Sequence, residues 1–219
     1  NIMATTEDIV KLRKRTNCGM MDCKNALEAC NDDLDKATEW LREKGMAKAA
    51  KKADRIAAEG LVSSYIHMGG KIGVLLEVNC ETDFASKSEQ FVQLCKDITL
   101  QIAASNPLYV KPEDVPANDL EHEKEVLRAQ ALNEGKPAAI IEKMIDGRIK
   151  KFYEETCLLN QPFVKNPEQT ITDLINETVL KIGEKINVRR FVRYEMGEGL
   201  EKRNENFAEE VMKQANSDK

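Results

Sequence analysis

Leu61 to Phe84 reads LVSSYIHMGGKIGVLLEVNCETDF, and this stretch decides the architecture. Leu61 to His67 and Ile72 to Val78 are apolar or alternating runs, with Met68-Gly69-Gly70-Lys71 between them. Glycine reaches positive φ at no steric cost, so Gly-Gly in that position predicts a β-hairpin whose second strand ends at Asn79-Cys80. Glu81 to Ala85 is then the corner between strand and helix. Ser86 with Glu89 reads as a capping box, opening a helix with Phe91, Cys95, Ile98 and Ile102 as its buried stripe and a stop before Pro107.

On the amino-terminal side, residues 5–45 read as three short helices in a compact module. Thr5 with Asp8 caps the first, which turns Ile9 and Leu12 inward, and Thr16 to Gly19 breaks it. Cys23, Ala26, Leu27 and Cys30 recur at the spacing of one helix face, where a free thiol behaves as a small hydrophobe. Asp33 opens the third helix, with Leu34, Ala37 and Leu41 inward and Gly45 closing it. Lys44, Lys48, Lys51, Lys52 and Arg55 then form a Lys/Ala-rich stretch, either a mobile helical linker or an exposed basic face able to steer an acidic partner.

On the carboxy-terminal side, Pro107, Pro112 and Pro116 punctuate a loop. Two charged helices follow at about 119–134 and 137–157, split by Gly135 and Pro137. Leu120, Leu127 and Ala131 on one, and Ile141, Ile145, Ile149 and Phe152 on the other, give narrow apolar seams, so the pair is expected to stand off the core as an antiparallel arm ending at Gln161 to Val164. Thr170 and Asp173 cap a further helix through Ile182-Gly183, Ile186 to Glu195 alternates as a third strand, and a final amphipathic helix carries Phe207 and Val211. The expected class is α+β and helix-rich, with a small antiparallel sheet of about three strands whose open edge calls for a cover or a second subunit. The expected division is 1–54, 55–199 with the helical insertion at about 119–163, and 200–219.

Composition narrows the function. The 219 residues are 42% hydrophobic, 32% charged and only 5% aromatic, a balance that favours helices with solvated faces. A net charge of -5 argues against phosphate backbone as the main ligand. There is no apolar run long enough to span a membrane, and the cytoplasm is the expected compartment, with Met3-Ala4 the expected natural start after Asn1 and Ile2. The six cysteines show no CxxC pair and no zinc-finger histidines, so they read as core thiols and no metal is expected. Neither a GxxxxGK[ST] loop nor a GxGxxG fingerprint occurs, so the chain is not expected to bind a nucleotide directly or to need a cofactor. Two histidines, His67 and His122, are the candidate general bases, and no nucleophile signature accompanies them.

The corner Glu81-Thr82-Asp83-Phe84 stands out, because Phe84 has no periodic partner in the strand before it or the helix after it. It is either an exposed knob beside a carboxylate or a side chain folded back on the core, with Thr82 and Asp83 as turn formers. The residues alone lead to an interaction module and leave both readings open.

Two long motifs carry a resemblance. Thr16-Asn17-Cys18-Gly19-Met20-Met21-Asp22-Cys23-Lys24-Asn25-Ala26-Leu27 and Glu77-Val78-Asn79-Cys80-Glu81-Thr82-Asp83-Phe84 resemble, in that order, the two signatures of the elongation factor Ts family. Lys181 to Arg190, and Gly135-Lys136-Pro137 through Phe152, resemble it as well, so the likeness covers nearly the whole chain. It implies an amino-terminal domain of the ubiquitin-associated type, an α+β core, the helical arm and a terminal helix. It also implies a non-enzymatic guanine-nucleotide exchange factor whose partner is elongation factor Tu. The resemblance places Phe84 as a wedge between helices of that GTPase with Asp83 and Thr82 beside it, and implies partner contacts at His67, Lys24, Lys52, Ile182, Gly183 and Val164. Ala85 departs from the Val that many members have there. The chain has one copy of the core half where long members have two, which implies a short form that pairs as a homodimer in a 2:2 complex. Three rivals remain: a protein-binding scaffold using the three-helix module, an RNA-associated factor using Lys44 to Arg55, and an enzyme using Cys80 with Glu81 and His67.

Overall fold

The structure, a computed structural model, describes residues 4–16, 18–202 and Gln214. It opens with helices α1 (Thr6–Thr16), α2 (Met20–Ala29) and α3 (Leu34–Lys51). Their ends form where the sequence supplies caps. The Asp8 N–H donates to the Thr5 hydroxyl at 3.2 Å, and Asp33 accepts from the N–H groups of Asp35 and Lys36 at 3.0 Å each. Ile9, Leu12, Cys23, Ala26, Leu27, Ala37 and Leu41 close around one another, joined by Leu180 from further along the chain. Cys30 is only half-buried because it is the C-cap of α2 and lies past the inward stripe.

Gly45 does not end α3. The helix runs through it to Lys51, and Gly45 is buried where α3 crosses a later helix: a Cβ there would stand 3.2 Å from the Asn176 carbonyl oxygen. The glycine serves close approach, and its backbone stays helical. The Lys/Ala-rich stretch is therefore the last turns of a packed helix, with Ala49 against the core and Lys44 bonded to Asp22 at 3.1 Å.

The hairpin is strands β1 (Glu59–His67) and β2 (Ile72–Cys80), antiparallel from Glu59↔Cys80 to His67↔Ile72. Met68, Gly69 and Gly70 take φ of 51°, 62° and 96°, and the N–H groups of Gly70 and Lys71 both donate to the His67 carbonyl. Beyond β2 comes a single helical turn, α4 (Asp83–Ser86), and then α5 (Glu89–Ser105). The cap of α5 is Ser88 and not Ser86: the Phe91 N–H donates to the Ser88 hydroxyl at 3.3 Å, while Ser86 is buried in α4 and donates to the Asp83 carbonyl at 2.8 Å. Thr82 starts a turn of its own, which delays α5 by that turn.

Helices α6 (Ala117–Asn133) and α7 (Ala138–Thr156) form the arm. Ala131, Ile141, Ile145 and Ile149 are buried between them with Leu120, Leu127 and Tyr153, so Tyr153 closes the seam in place of the expected Phe152. At the root, Tyr109 bridges to Cys157 and the Leu108 N–H donates to the Thr156 carbonyl at 2.8 Å. A small hairpin that the sequence does not announce follows, β3 (Pro162–Phe163) with β4 (Asn166–Thr170). Then come α8 (Ile171–Ile182), opened by a reciprocal Thr170–Asp173 capping box and ended by Gly183 at φ 79°, and β5 (Asn187–Glu195).

Strand β5 pairs antiparallel with β2, so the sheet order is β1-β2-β5. Its inner face, Val74, Leu76 and Val78, packs with Phe91, Ile98 and Ile102 of α5 and with Ile171, Ile175 and Val179 of α8. Each large side chain fully removed from water there contributes roughly 1.5–3 kcal/mol. The outer face carries Val62, Ile66, Leu75, Val192 and Tyr194, all exposed. The class is the expected α+β, rich in helix with a three-stranded antiparallel sheet. Among the described residues no helix is long and apolar enough to cross a membrane. The terminal helix with Phe207 and Val211 lies outside the described residues.

Candidate functional site

Phe84 is 85% exposed, and among the described residues no core side chain covers it. The turn that carries it is well determined nonetheless. Thr82 is the N-cap of α4, its hydroxyl accepting from the Ala85 N–H at 3.2 Å, and Ala85 is buried beneath. That geometry turns the preceding side chain outward: Ala85 faces the core, and Phe84 faces solvent. Of the two readings open at the sequence level, the knob is the one realised. A small residue at 85 lets the turn sit low on the core, and the departure to Ala is therefore accommodated inside the chain.

Asp83 stands beside the knob with its carboxylate 3.0 Å from Lys87 Nζ, and that ammonium holds the carboxyl below the usual carboxylate range. Both side chains are solvated, so the pair contributes little to stability and leaves an ionised acid next to an aromatic ring.

The turn is stitched to the far end of α8. Glu184, the residue after the Gly183 cap, accepts from the N–H groups of Glu81 and Thr82 at 3.0 and 2.9 Å and from the Thr82 hydroxyl at 2.7 Å. Reciprocally, Glu81 accepts from the Lys185 N–H at 3.3 Å and pairs with Arg55 at 3.3 Å. Lys185 Nζ donates to the carbonyls of Ala53 and Arg55 at 2.6 and 3.1 Å, which ties in the segment after Lys52.

The expected site residues thus fall into two sets. Thr82, Asp83 and Phe84 share one corner with Ile182 and Gly183, which lead into Glu184, and with the segment that follows Lys52, the half-buried C-cap of α3. His67 lies elsewhere, at the far end of β1, exposed and hydrogen-bonded through Nδ1 to the Tyr65 hydroxyl at 2.7 Å. It is opposite Ile72, eight residues along β2 from Cys80, which at about 3.4 Å per residue is roughly 27 Å. Lys24 is on α2, paired with Glu28 at 3.8 Å, and Val164 is exposed between β3 and β4 with its N–H donating to Gln101 Oε1 at 2.9 Å. Sequence reasoning does not single out Glu81, Glu184, Lys185 and Arg55 as a group. The contacts of Glu184 and Lys185 with Glu81 join positions more than 100 residues apart and that of Arg55 with Glu81 spans 26, and the one local signal is the cap at Gly183 directly before Glu184.

The geometry also separates the parts of the imagined enzyme. Cys80 is buried, its thiol pushed up by that burial, and His67 is a strand's length away. A cleft of about 460 Å³ lies between α3 and α8, lined by Arg15, Arg42, Asp173 and Glu177 among others, and does not include the corner. The corner is a protrusion, and the cleft lies apart from it.

Over residues 3–198 the sequence matches the family described as Elongation factor TS. The chain belongs to the elongation factor Ts family. It is 60% identical to the elongation factor Ts of Carboxydothermus hydrogenoformans over 95% of this chain and 96% of that one. It is 63% identical to that of Desulforamulus reducens, over 94% and 95% of the two chains, and 60% identical to that of Acetivibrio thermocellus, over 98% and 100%. Elongation factor Ts is a guanine-nucleotide exchange factor of translation elongation, and membership at this identity over nearly the full length assigns that role to this chain. The scaffold reading based on the three-helix module is not favoured.

Proposed function

We propose that this chain releases GDP from elongation factor Tu by inserting Phe84 between helices of the GTPase, with Asp83 and Thr82 flanking the wedge. The single observation that carries the reading is the exposure of Phe84, 85%, on a turn held by Thr82 and Glu184. An aromatic side chain kept out of its own core and on a fixed mount has burial still to gain from a partner. Ile182, Gly183 and Lys52 would extend the contact around the knob, while Lys24, His67 and Val164 would hold the complex at points further away.

Exchange requires differential binding. The factor accelerates GDP loss only by binding empty elongation factor Tu more tightly than the GDP-bound form, and GDP must weaken the factor's binding by the same ratio. The wedge serves this by being compatible with a distorted magnesium and phosphate site and incompatible with an occupied one. The chain makes and breaks no bond, binds no nucleotide of its own and works in the cytoplasm. Two copies would pack the apolar outer face of the sheet, Val62, Ile66, Leu75, Val192 and Tyr194, against each other and carry two GTPases.

The test is stopped-flow release of a fluorescent GDP from elongation factor Tu with the wild-type chain and with Phe84→Ala. Burying the ring removes about 150–250 Å², or roughly 4–6 kcal/mol gross at about 25 cal/mol per Å². Ordering costs and the retained Cβ reduce this to ~2–3 kcal/mol, a typical hot-spot value. The expected loss of acceleration is therefore about 30- to 150-fold, with the melting temperature unchanged because Phe84 is 85% exposed among the described residues. Equal acceleration by both proteins would move the mechanism away from Phe84.

A further inference from the structure

We infer that Glu184 is the positioning residue of exchange: its carboxylate clamps the Glu81–Thr82 backbone and the Thr82 hydroxyl, and so sets the direction in which Phe84 is presented. The inference rests on Phe84 being the wedge.

The turn under Phe84 is four residues long, and its own bonds, among them the Ser86 N–H to the Thr82 carbonyl at 3.3 Å and the Ser86 hydroxyl to the Asp83 carbonyl at 2.8 Å, are all local, so they close the turn without fixing its direction relative to α8. Glu184 supplies three. Oε1 accepts from two consecutive N–H groups, at 3.0 and 2.9 Å, and Oε2 accepts from the Thr82 hydroxyl at 2.7 Å. Bonds to an ionised acceptor are about twice as strong as neutral ones. The third has a further effect: with its proton committed to Glu184, the Thr82 oxygen turns a lone pair to the Ala85 N–H, at 3.2 Å, which closes the turn. Phe84 rides between those two fixed points.

Glu184 is itself firmly mounted. It follows the left-handed Gly183 cap of α8, whose Ile171, Leu174, Ile175, Val179 and Leu180 are buried in the core. The exchange of carboxylates is reciprocal, since Glu81 takes the Lys185 N–H while Glu184 takes the Glu81 N–H. Two chain segments remote in sequence are locked in one register at the base of the knob. A wedge works only if its mount does not yield, because a turn that must be ordered during binding draws that cost from the interaction that should distort the partner. Loss of the clamp therefore lowers the rate of GDP release at saturating factor more than it lowers affinity for the complex.

The experiment is the same stopped-flow assay, run to saturation with Glu184→Ala, Glu184→Gln, Phe84→Ala and the Phe84→Ala/Glu184→Ala double variant, each checked by thermal melting. Glu184→Ala is expected to lower the saturating release rate on the order of tenfold with half-saturation changed by less than about threefold. Glu184→Gln keeps a carbonyl for the two N–H groups and should recover most of the rate, and it carries the test should the alanine variant unfold. In the double variant Glu184→Ala should add no further loss, since a mount without its wedge has nothing to position. A wild-type rate in Glu184→Ala alongside a slow Phe84→Ala overturns the positioning role alone, as does an equal loss in both backgrounds. A wild-type rate in Phe84→Ala overturns the wedge reading and the positioning role with it.

Discussion

Replacing Gly60 by Ala is expected to destabilise the fold by about 3–5 kcal/mol, although it adds a single methyl group. Gly60 lies near the start of β1 opposite Asn79, with φ at +145°, a conformation that residues with a Cβ rarely adopt. A Cβ there would run into the Val78 carbonyl oxygen and stand 2.8 Å from Asn79 Cα and 3.0 Å from the Val78 carbonyl carbon. All three obstacles are backbone, so no side chain can swing aside. The unfavourable φ accounts for about 2 kcal/mol, and forcing the strands apart for about 1–3 kcal/mol more. At about 2–4 °C per kcal/mol for a chain of this size, the melting temperature should fall by about 6–20 °C. The assay is thermal and urea unfolding by circular dichroism, with Gly147→Ala as control. Gly147 sits in α7 with open space where the methyl would project and an unexceptional φ, so alanine there should raise stability by roughly 0.5–1 kcal/mol. A Gly60→Ala melt within 2 °C or so of wild type would refute the steric argument, since the expected range begins well above that. Val78 and Asn79 lead directly into the corner, so the variant should also slow GDP release at temperatures where it is still folded.

Two other outcomes follow from exposure and burial. Leu75→Glu puts a carboxylate in the middle of the outer sheet face, beside Val192 and Ser64, where it is free to be solvated in one chain but would be doubled and buried between two. Sedimentation at micromolar concentration should show wild type as a dimer and the variant as a monomer; a monomeric wild type, or a dimeric variant, would dismiss sheet-face pairing. The thiols divide by burial: Cys18 and Cys95 are pushed up to about 11 by desolvation, and Cys30 alone of the six is half-exposed. A disulfide reagent at about pH 8, near the ordinary thiol range, should therefore modify Cys30 quickly in the native chain and the remainder only on unfolding, and fast loss of several thiols would contradict the packing described.

What can be read in advance follows the range of each interaction. The Gly69-Gly70 turn, the Asp33 and Thr170 caps and the stripe Phe91, Cys95, Ile98, Ile102 depend on neighbours within a few residues, and all appear where expected. Ser86 is a plausible cap by spacing alone, but Thr82 has already begun a turn that only the buried Ala85 and Ser86 explain. Gly45 looks like a helix stop in the sequence because the reason for it lies on α8, at the Asn176 carbonyl. Similarly, Phe84 can be singled out from its lack of a partner, whereas the Glu184 clamp is invisible until α8 and β2 are brought together. Helix and strand identity is local; the aim of a functional side chain is set by contacts across the chain.

The bridge between Tyr109 and Cys157 at the root of the arm bears on how this chain folds and how it could change over generations. Because the backbone leaves the core and re-enters it at neighbouring points, the arm can zip up from its own tip through local contacts. The search that brings β5 to β2 then spans a much shorter effective loop than the numbering suggests. The same closure makes the arm a cassette. Its 19-residue second helix already reaches about 28 Å, and each inserted pair of helical turns, one in either helix, would add about 5.4 Å of reach while the register of the sheet, and with it the direction of Phe84, stayed as it is.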